Sequence, residues 1–292
     1  MMFRCVMPGS GNPIVSEYVP LSDINEPRLN MLASGGGIGR TVHVSSSTFD
    51  LMSLAHKVMQ KTGYETFPDG PGNREAAIWM SGGRSWARTK LYFNQTGPTD
   101  SEARIVKNIK ATGGGNCSEY SRMVMLEYQR HKRHQPVFEV TEAMAHKYVI
   151  VGDWRDRTVG DQAIVVDPWQ GLKKVHTYGE KLSSRSPIVN KTVLPGSPVR
   201  FSSELKAALS AKANTSSEFQ ASIVNLIHPH NPGPYAAQQA ILRDKILMFD
   251  SVTSSQNLHT TYVDPQGRSS AFNSAPPAYV SKYMDARESM QS

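Results

Sequence analysis

Gly113-Gly114-Gly115-Asn116-Cys117-Ser118-Glu119-Tyr120-Ser121 is the stretch from which the fold is read. A glycine run ends in a cysteine, and the cysteine opens a helical segment expected from Ser118 to about His131. Downstream lie two β-rich runs, His146-Lys147-Tyr148-Val149-Ile150-Val151 and Ala163-Ile164-Val165-Val166-Asp167-Pro168-Trp169. If they form an antiparallel hairpin across residues 152–162, His146 starts one strand and Asp167 ends the other, side by side. The residue types suit one chemistry. A thiol needs a base to become a thiolate, and a helix N-terminus lowers its pKa further. The base is a histidine held by a third polar group. Taken singly, a cysteine after glycines is most often a small buried hydrophobe, and a strand-start histidine is most often structural. Together and in this order, Cys117, His146 and Asp167 read as nucleophile, base and orienter.

The chain has 292 residues, enough for one sizeable core or two smaller ones. Its 39% hydrophobic content and mean hydropathy of −0.41 fit a soluble globular protein with considerable loop, as do 22 glycines and 18 prolines. No apolar run approaches the roughly 20 residues of a membrane span. The two cysteines, Cys5 and Cys117, argue against a disulfide framework and suit a reducing compartment. Net charge is +7, so anionic partners fit. The basic residues are scattered, densest at His131-Lys132-Arg133-His134, and no nucleic-acid motif accompanies them. This reads as a solvated basic face, with an acidic protein, phospholipid or polyphosphate surface as its alternative partner, and nucleic acid is not expected. The first residues carry neither a signal-peptide pattern nor a glycine at position 2 for N-myristoylation.

Residues 1–40, with Pro8, Pro13, Pro20, Pro27 and Gly35-Gly36-Gly37-Ile38-Gly39, read as a weakly ordered leader. Without a strand before and a helix directly after, those glycines are a weak dinucleotide signal. Residues 41–292 read as an α+β unit with extra helices. Leu51, Leu54, Ala55, Val58 and Met59 recur at helical spacing and predict a helix over 48–61, capped by Ser47 and ended by Gly63, its methionines in the core. Residues 64–75 are turn-rich, and 76–80 form a short helix or strand. Trp86 and Arg88 sit in 81–90, ahead of Leu91-Tyr92-Phe93-Asn94; they either line a substrate groove or belong to a surface loop before an edge strand. A helix is expected over 99–110, a strand over 188–194, and helices over 202–213, 217–228 and 234–249; the last forty residues are expected to pack loosely. Trp169, beside Asp167, could shield the His–Asp pair from water and is a third candidate for the substrate groove.

Tyr262-Val263-Asp264-Pro265-Gln266-Gly267 echoes the segment around Asp167, and His259 with Asp264 is a competing pair. Its flanks lack the β-rich run, so Asp167 is preferred. His228-Pro229-His230 has no cysteine or carboxylate at ligand spacing, so neither metal nor other cofactor is expected.

Residues 114–120, 145–153 and 165–169 resemble the AvrPphE (HopX/XopE) family of type III secreted effectors of plant-pathogenic bacteria, assigned to the transglutaminase-like, papain-related superfamily. The resemblance covers about residues 110–175. It implies a papain/transglutaminase-like core, with the nucleophile at a helix N-terminus and His and Asp on an antiparallel sheet. It assigns Cys117 as nucleophile, His146 as base and Asp167 as orienter. It also implies secretion into the host cell, to its cytoplasm or the inner face of its plasma membrane, a host protein substrate and a secretion chaperone. Ser118 follows the cysteine where transglutaminases often carry tryptophan, which weighs against amine cross-linking more than hydrolysis. In the mechanism so implied, the Cys117 amide and Asn116 are candidate oxyanion donors, and hydrolysis, deamidation and transamidation share one acyl-enzyme. The alternative from another class is a non-catalytic module that keeps the fold and binds a host protein or anionic ligand.

Overall fold

A computed structural model describes residues 40–131, 134–142, 146–169, 175–181, 186–196, 200–227 and 260–272. The described residues form a mixed α+β fold with two sheets. The larger sheet contains β2 (Val137–Glu142), β3 (His146–Val151), β4 (Ile164–Val166), β5 (His176–Thr177) and β6 (Ile188–Val193), in the order β5-β4-β3-β2-β6. The β2–β3 and β3–β4 pairs are both antiparallel, with Val149 opposite Val166 and Glu142 opposite His146. The hairpin expected between the two β-rich runs is therefore present.

Strand side chains alternate between faces, and the central strands β2, β3 and β4 are buried on both, whereas edge strand β6 is largely exposed. Val137, Val149, Val151, Ile164 and Val166 face a helical layer. Phe138, Val140, Tyr148, Ile150 and Val165 face the other side, where Trp154 and Tyr178 pack. The same alternation places His146 and Asp167 on the Tyr148 face. Each buried valine or isoleucine contributes about 1.5–3 kcal/mol, so a one-residue slip that exposed both sets is strongly disfavoured.

Helix α1 (Ser46–Gln60) buries Phe49, Met52, Ala55, Val58 and Met59 against the sheet. Its cap is Ser45, whose hydroxyl accepts from the Thr48 N–H at 3.1 Å, rather than Ser47. Gly63 does not end it: the chain continues through a π-helical turn, Lys61–Thr66. That turn delivers Phe67 to a stack on Tyr120, ring centroids 3.8 Å apart. A short helix α2 (Glu75–Met80) precedes α3 (Arg84–Gln95). The expected strand at Leu91–Asn94 is thus the last turn of a helix. Residues 84–95 hold neither glycine nor proline, and Ser85, Trp86, Ala87, Arg88, Thr89 and Tyr92 are buried, the first turns on all sides. Helix α4 (Glu102–Thr112) is capped by Ser101, and α5 (Cys117–Gln129) follows the glycines. Helices α6 (Ser203–Ser210) and α7 (Ser217–Ile227) match the expected segments, α6 being shorter than read. Leu205, Ala208 and Leu209 of α6 join the cluster around Tyr92, Val106, Ile109 and Tyr120, and Phe219 and Ile223 of α7 pack on Trp86.

Sequence periodicity missed the second sheet. Strand β1 (Arg40–His43) pairs in parallel with β7 (Thr260–Val263), and β7 in turn with β8 (Ser269–Ser270). Tyr262 and Phe272 complete the core around α1, so this part of the tail is not loosely packed. Residues 1–39 and the helix expected at 234–249 lie outside the described residues. No helix among the described residues is long and apolar enough to cross a membrane.

Candidate active site

The glycine run before Cys117 is held by hydrogen bonds at successive amides. Helix α4 ends on Gly113 in the left-handed region, φ 64°, with its N–H donating to the Ile109 carbonyl at 2.7 Å. The Gly114 N–H donates to Thr112 Oγ1 at 3.2 Å, and the Gly115 N–H to Thr89 Oγ1 at 2.9 Å. The Asn116 N–H donates to Glu119 Oε2 at 2.8 Å, the carboxylate reaching back from the first turn of α5 as in a capping box. Glu119 also accepts from the Tyr92 hydroxyl at 3.4 Å. Burial pushes its carboxyl above the ordinary value, against the opposing pull of the Asn116 amide. Cys117 is the first residue of α5 and is 1% exposed. Asn116 Oδ1 is buried and finds no hydrogen-bond partner among the described residues.

Trp86 and Arg88, two of the three candidates for a substrate groove, are buried within α3 instead. The Arg88 guanidinium donates from Nη1 to the Thr112 carbonyl at 2.8 Å and from Nε to Asp69. Arg88 therefore ties α3 to the loop 64–75 and to the end of α4, directly behind the glycines. An Arg88→Met variant should lose about 2 kcal/mol of stability, since the neutral side chain strands the buried Thr112 carbonyl and leaves Asp69 with Arg84 alone. Urea unfolding measures this loss.

His146 and Asp167, the expected base and orienter, come from β3 and the residue after β4. Continuing the observed register puts Asp167 opposite Tyr148, so His146 and Asp167 are diagonal neighbours on one face. His146 Nε2 lies 2.7 Å from Asp167 Oδ2, with both side chains buried. A carboxylate at Nε2 fixes the proton there and leaves Nδ1 as the basic nitrogen. Nδ1 makes no hydrogen bond of ordinary geometry among the described residues, and the Cys117 thiol is the other group acting on the ring. Burial opposes the imidazolium, but the charge and hydrogen bond of Asp167 outweigh it. Cys117 acts in the same direction, and the ring is pushed up to about 10.

That shift ties stability to pH. A histidine raised from 6.5 to about 10 stabilises the fold in full below pH 6.5 and loses that contribution as pH rises toward 10. Asp167→Asn should therefore cost about 2 kcal/mol or more near pH 6 and progressively less toward pH 10. Urea unfolding of both proteins across that range reads the narrowing gap.

Two aromatic rings hold the imidazole. Tyr148, two residues on along β3, stacks at 5.8 Å with a 17° interplanar angle, and Trp169 lies against it at 4.6 Å. Trp169 is itself fixed: its Nε1–H donates to Asn73 Oδ1 at 2.9 Å, and Arg74 lies over its ring at 4.6 Å while donating to its carbonyl at 3.0 Å. Trp169, read both as a shield for the pair and as a groove candidate, is thus buried against His146. Asn73 and Arg74 were not singled out in the sequence; they sit in an aperiodic Pro/Gly segment where only tertiary packing reveals them.

Asp264 does something else. It accepts from the Gln266 and Arg268 amides at 3.1 and 2.8 Å and from Arg268 Nε at 2.8 Å, closing the turn between β7 and β8. His259, His228 and His230 lie outside the described residues.

Comparison with protein-family models, with curated proteins and with solved structures gave no significant match.

Proposed function

We propose that this chain is a thiol-dependent acyl-transfer enzyme of papain/transglutaminase-like architecture. The observation that carries the reading is the 2.7 Å bond between His146 and Asp167, with Cys117 acting on the same ring. In the first step the Cys117 thiolate attacks the carbonyl carbon of a glutamine carboxamide or a peptide bond. The negative oxygen is stabilised by the Cys117 N–H at the start of α5 and by the Asn116 carboxamide. His146 gives its proton to the departing ammonia or amine, leaving a thioester. It then takes a proton from water, whose oxygen attacks the thioester, and the sulfur leaves as the thiolate beside the re-formed imidazolium. The product is a carboxylate. Asp167 keeps the imidazole oriented and stabilises its charged form throughout. The resemblance of residues 114–120, 145–153 and 165–169 to the AvrPphE family extends this reading to a type III secreted effector acting on a host protein in the plant cytoplasm or at the plasma membrane. Its basic balance suits an acidic substrate or membrane surface.

A second reading, a binding module that retains the fold without turnover, is favoured by the 1% exposure of Cys117. Enzyme and module are separated by incubating the full chain with a glutamine-rich protein substrate and host-cell extract. Mass spectrometry then scores amide-to-acid conversion, new N-termini and incorporation of a labelled amine. Turnover by wild type that vanishes in Cys117→Ala establishes the enzyme and names its bond. No product in any channel, together with an unactivated thiol, establishes the module.

A further inference from the structure

A second carboxylate faces His146. Glu142 is its direct cross-strand partner on β2, and opposed residues on one face hold their Cβ atoms about 4.5–5.5 Å apart. Both Glu142 oxygens are occupied: Lys181 Nζ donates to Oε1 at 2.7 Å and the Tyr148 hydroxyl to Oε2 at 2.7 Å. The Lys181 and Glu142 side chains are each 1% exposed, so the pair is screened from water. Tyr148 is also the ring stacked on the imidazole, so a single side chain joins Glu142 to the base. Lys181 directly follows the 3₁₀ turn Tyr178–Glu180, a part of the chain that the triad does not otherwise use.

We propose that Lys181 is a positioning residue for the base: with Tyr148 it occupies and neutralises Glu142, so that Asp167 alone orients and charges His146. The inference rests on the reading of His146 as the base. The groups facing this region are Asp167 from the end of β4, Cys117 from α5, Glu142 from β2, Tyr148 from β3, and Tyr178 and Lys181 from the 3₁₀ turn and the residue after it. Arg74 lies beyond Trp169. A lone carboxylate opposite the imidazole would compete with Asp167 for its N–H and add a second negative charge at short range in a poorly screened site. Burying an ion pair this deeply is a costly way to gain stability alone. Here the pair sets which anion the base responds to.

The sign of the electrostatic response separates this role from a structural one. Lys181→Met leaves Glu142 uncompensated and should favour the imidazolium. Glu142→Gln leaves Lys181 uncompensated and should disfavour it. The double variant should return the ring to its wild-type behaviour, and Lys181→Arg should do so as the conservative replacement. The readout is the ring NMR signal of His146 in full-length protein carrying Cys117→Ser, which needs neither thiol nor turnover. Near pH 9.5 the ratio of charged to neutral imidazole should rise about tenfold in Lys181→Met and fall by a similar factor in Glu142→Gln. Shifts of the same sign, no shift in either single variant, or a double variant that does not revert would each overturn the proposal. Should Lys181→Met not fold, Glu142→Gln, the double variant and Lys181→Arg still supply the sign and the reversion. Absence of turnover with these opposite shifts intact would count against the enzyme reading alone.

Discussion

Replacing His146 with alanine is expected to slow alkylation of Cys117 at pH 7 by about thirtyfold or more. An ordinary thiol has a pKa near 8.5, so only about 3% of it is thiolate at pH 7. On the enzyme reading, the His146 imidazolium, on which Cys117 acts, keeps the sulfur ionised, and the ring is pushed up to about 10. Removing the ring returns the thiol at best to the ordinary value, and burial of Cys117 moves it further from ionisation. The shape of the pH profile is as informative as the rate. Wild type should vary little between pH 7 and 9, because the ion pair persists across that range, whereas His146→Ala should climb steeply as the bare thiol titrates. Asp167→Asn should fall between them, retaining a hydrogen bond to Nε2 but losing the charge that outweighs desolvation. Timed iodoacetamide labelling from pH 5 to 9, read by intact-protein mass spectrometry, gives all three curves, with Cys5 as the internal reference thiol. Restricted access to a buried sulfur scales the curves without altering their shape. Identical profiles for wild type and His146→Ala would remove the ion pair, and the binding-module reading would take its place.

The residues needed for that experiment were legible in the sequence because their signals are local. Glycines before a helix start, a period-two run opening on His146 and another closing on Asp167 each declare an element without reference to the rest of the chain. The register then places His146 and Asp167 on one face by geometry alone. Tyr148 could have been found by the same argument, being two residues on along the same strand. The remainder required tertiary information. Arg88 and Trp86 look like surface residues on a basic segment, and only the packing of α7 and the loop 64–75 shows them buried. The continuation of α1 past Gly63 follows from the need to bring Phe67 under Tyr120, which no local propensity encodes. The β1–β7 pair joins segments 220 residues apart, Arg40 to Thr260, and both are four-residue strands too short for periodicity to stand out. Lys181 reaches Glu142 from the far side of two strands, and an isolated lysine after Tyr178-Gly179-Glu180 carries no pattern.

The second large effect is expected at the glycine run and tests how the nucleophile is positioned. A methyl group added at Gly114 would lie 2.2 Å from both the carbonyl carbon and the oxygen of Arg88. Those are backbone atoms inside α3, fixed by the helix and by the Arg88 side chain, which grips Thr112 and Asp69. No rotamer change relieves the contact, so α3 and the loop must separate. Separation would break the bond from the Gly115 N–H to Thr89 Oγ1 and move the start of α5. Gly114→Ala should cost about 3 kcal/mol or more, at the upper end of overpacking effects, and should remove the rapid labelling of Cys117 even where the protein still folds. Gly97→Ala is the control: a methyl there meets nothing within 4 Å, and the change is expected to be neutral to slightly stabilising. Urea unfolding and the alkylation assay on the two variants separate the explanations. If Gly114→Ala were as stable and as reactive as Gly97→Ala, close packing of α3 on the glycine run could not be what holds Cys117 in place. Loss of labelling with only modest loss of stability would instead show that Gly114 serves chiefly to let α3 approach and aim the thiol, with the global fold carried by the central strands of the larger sheet.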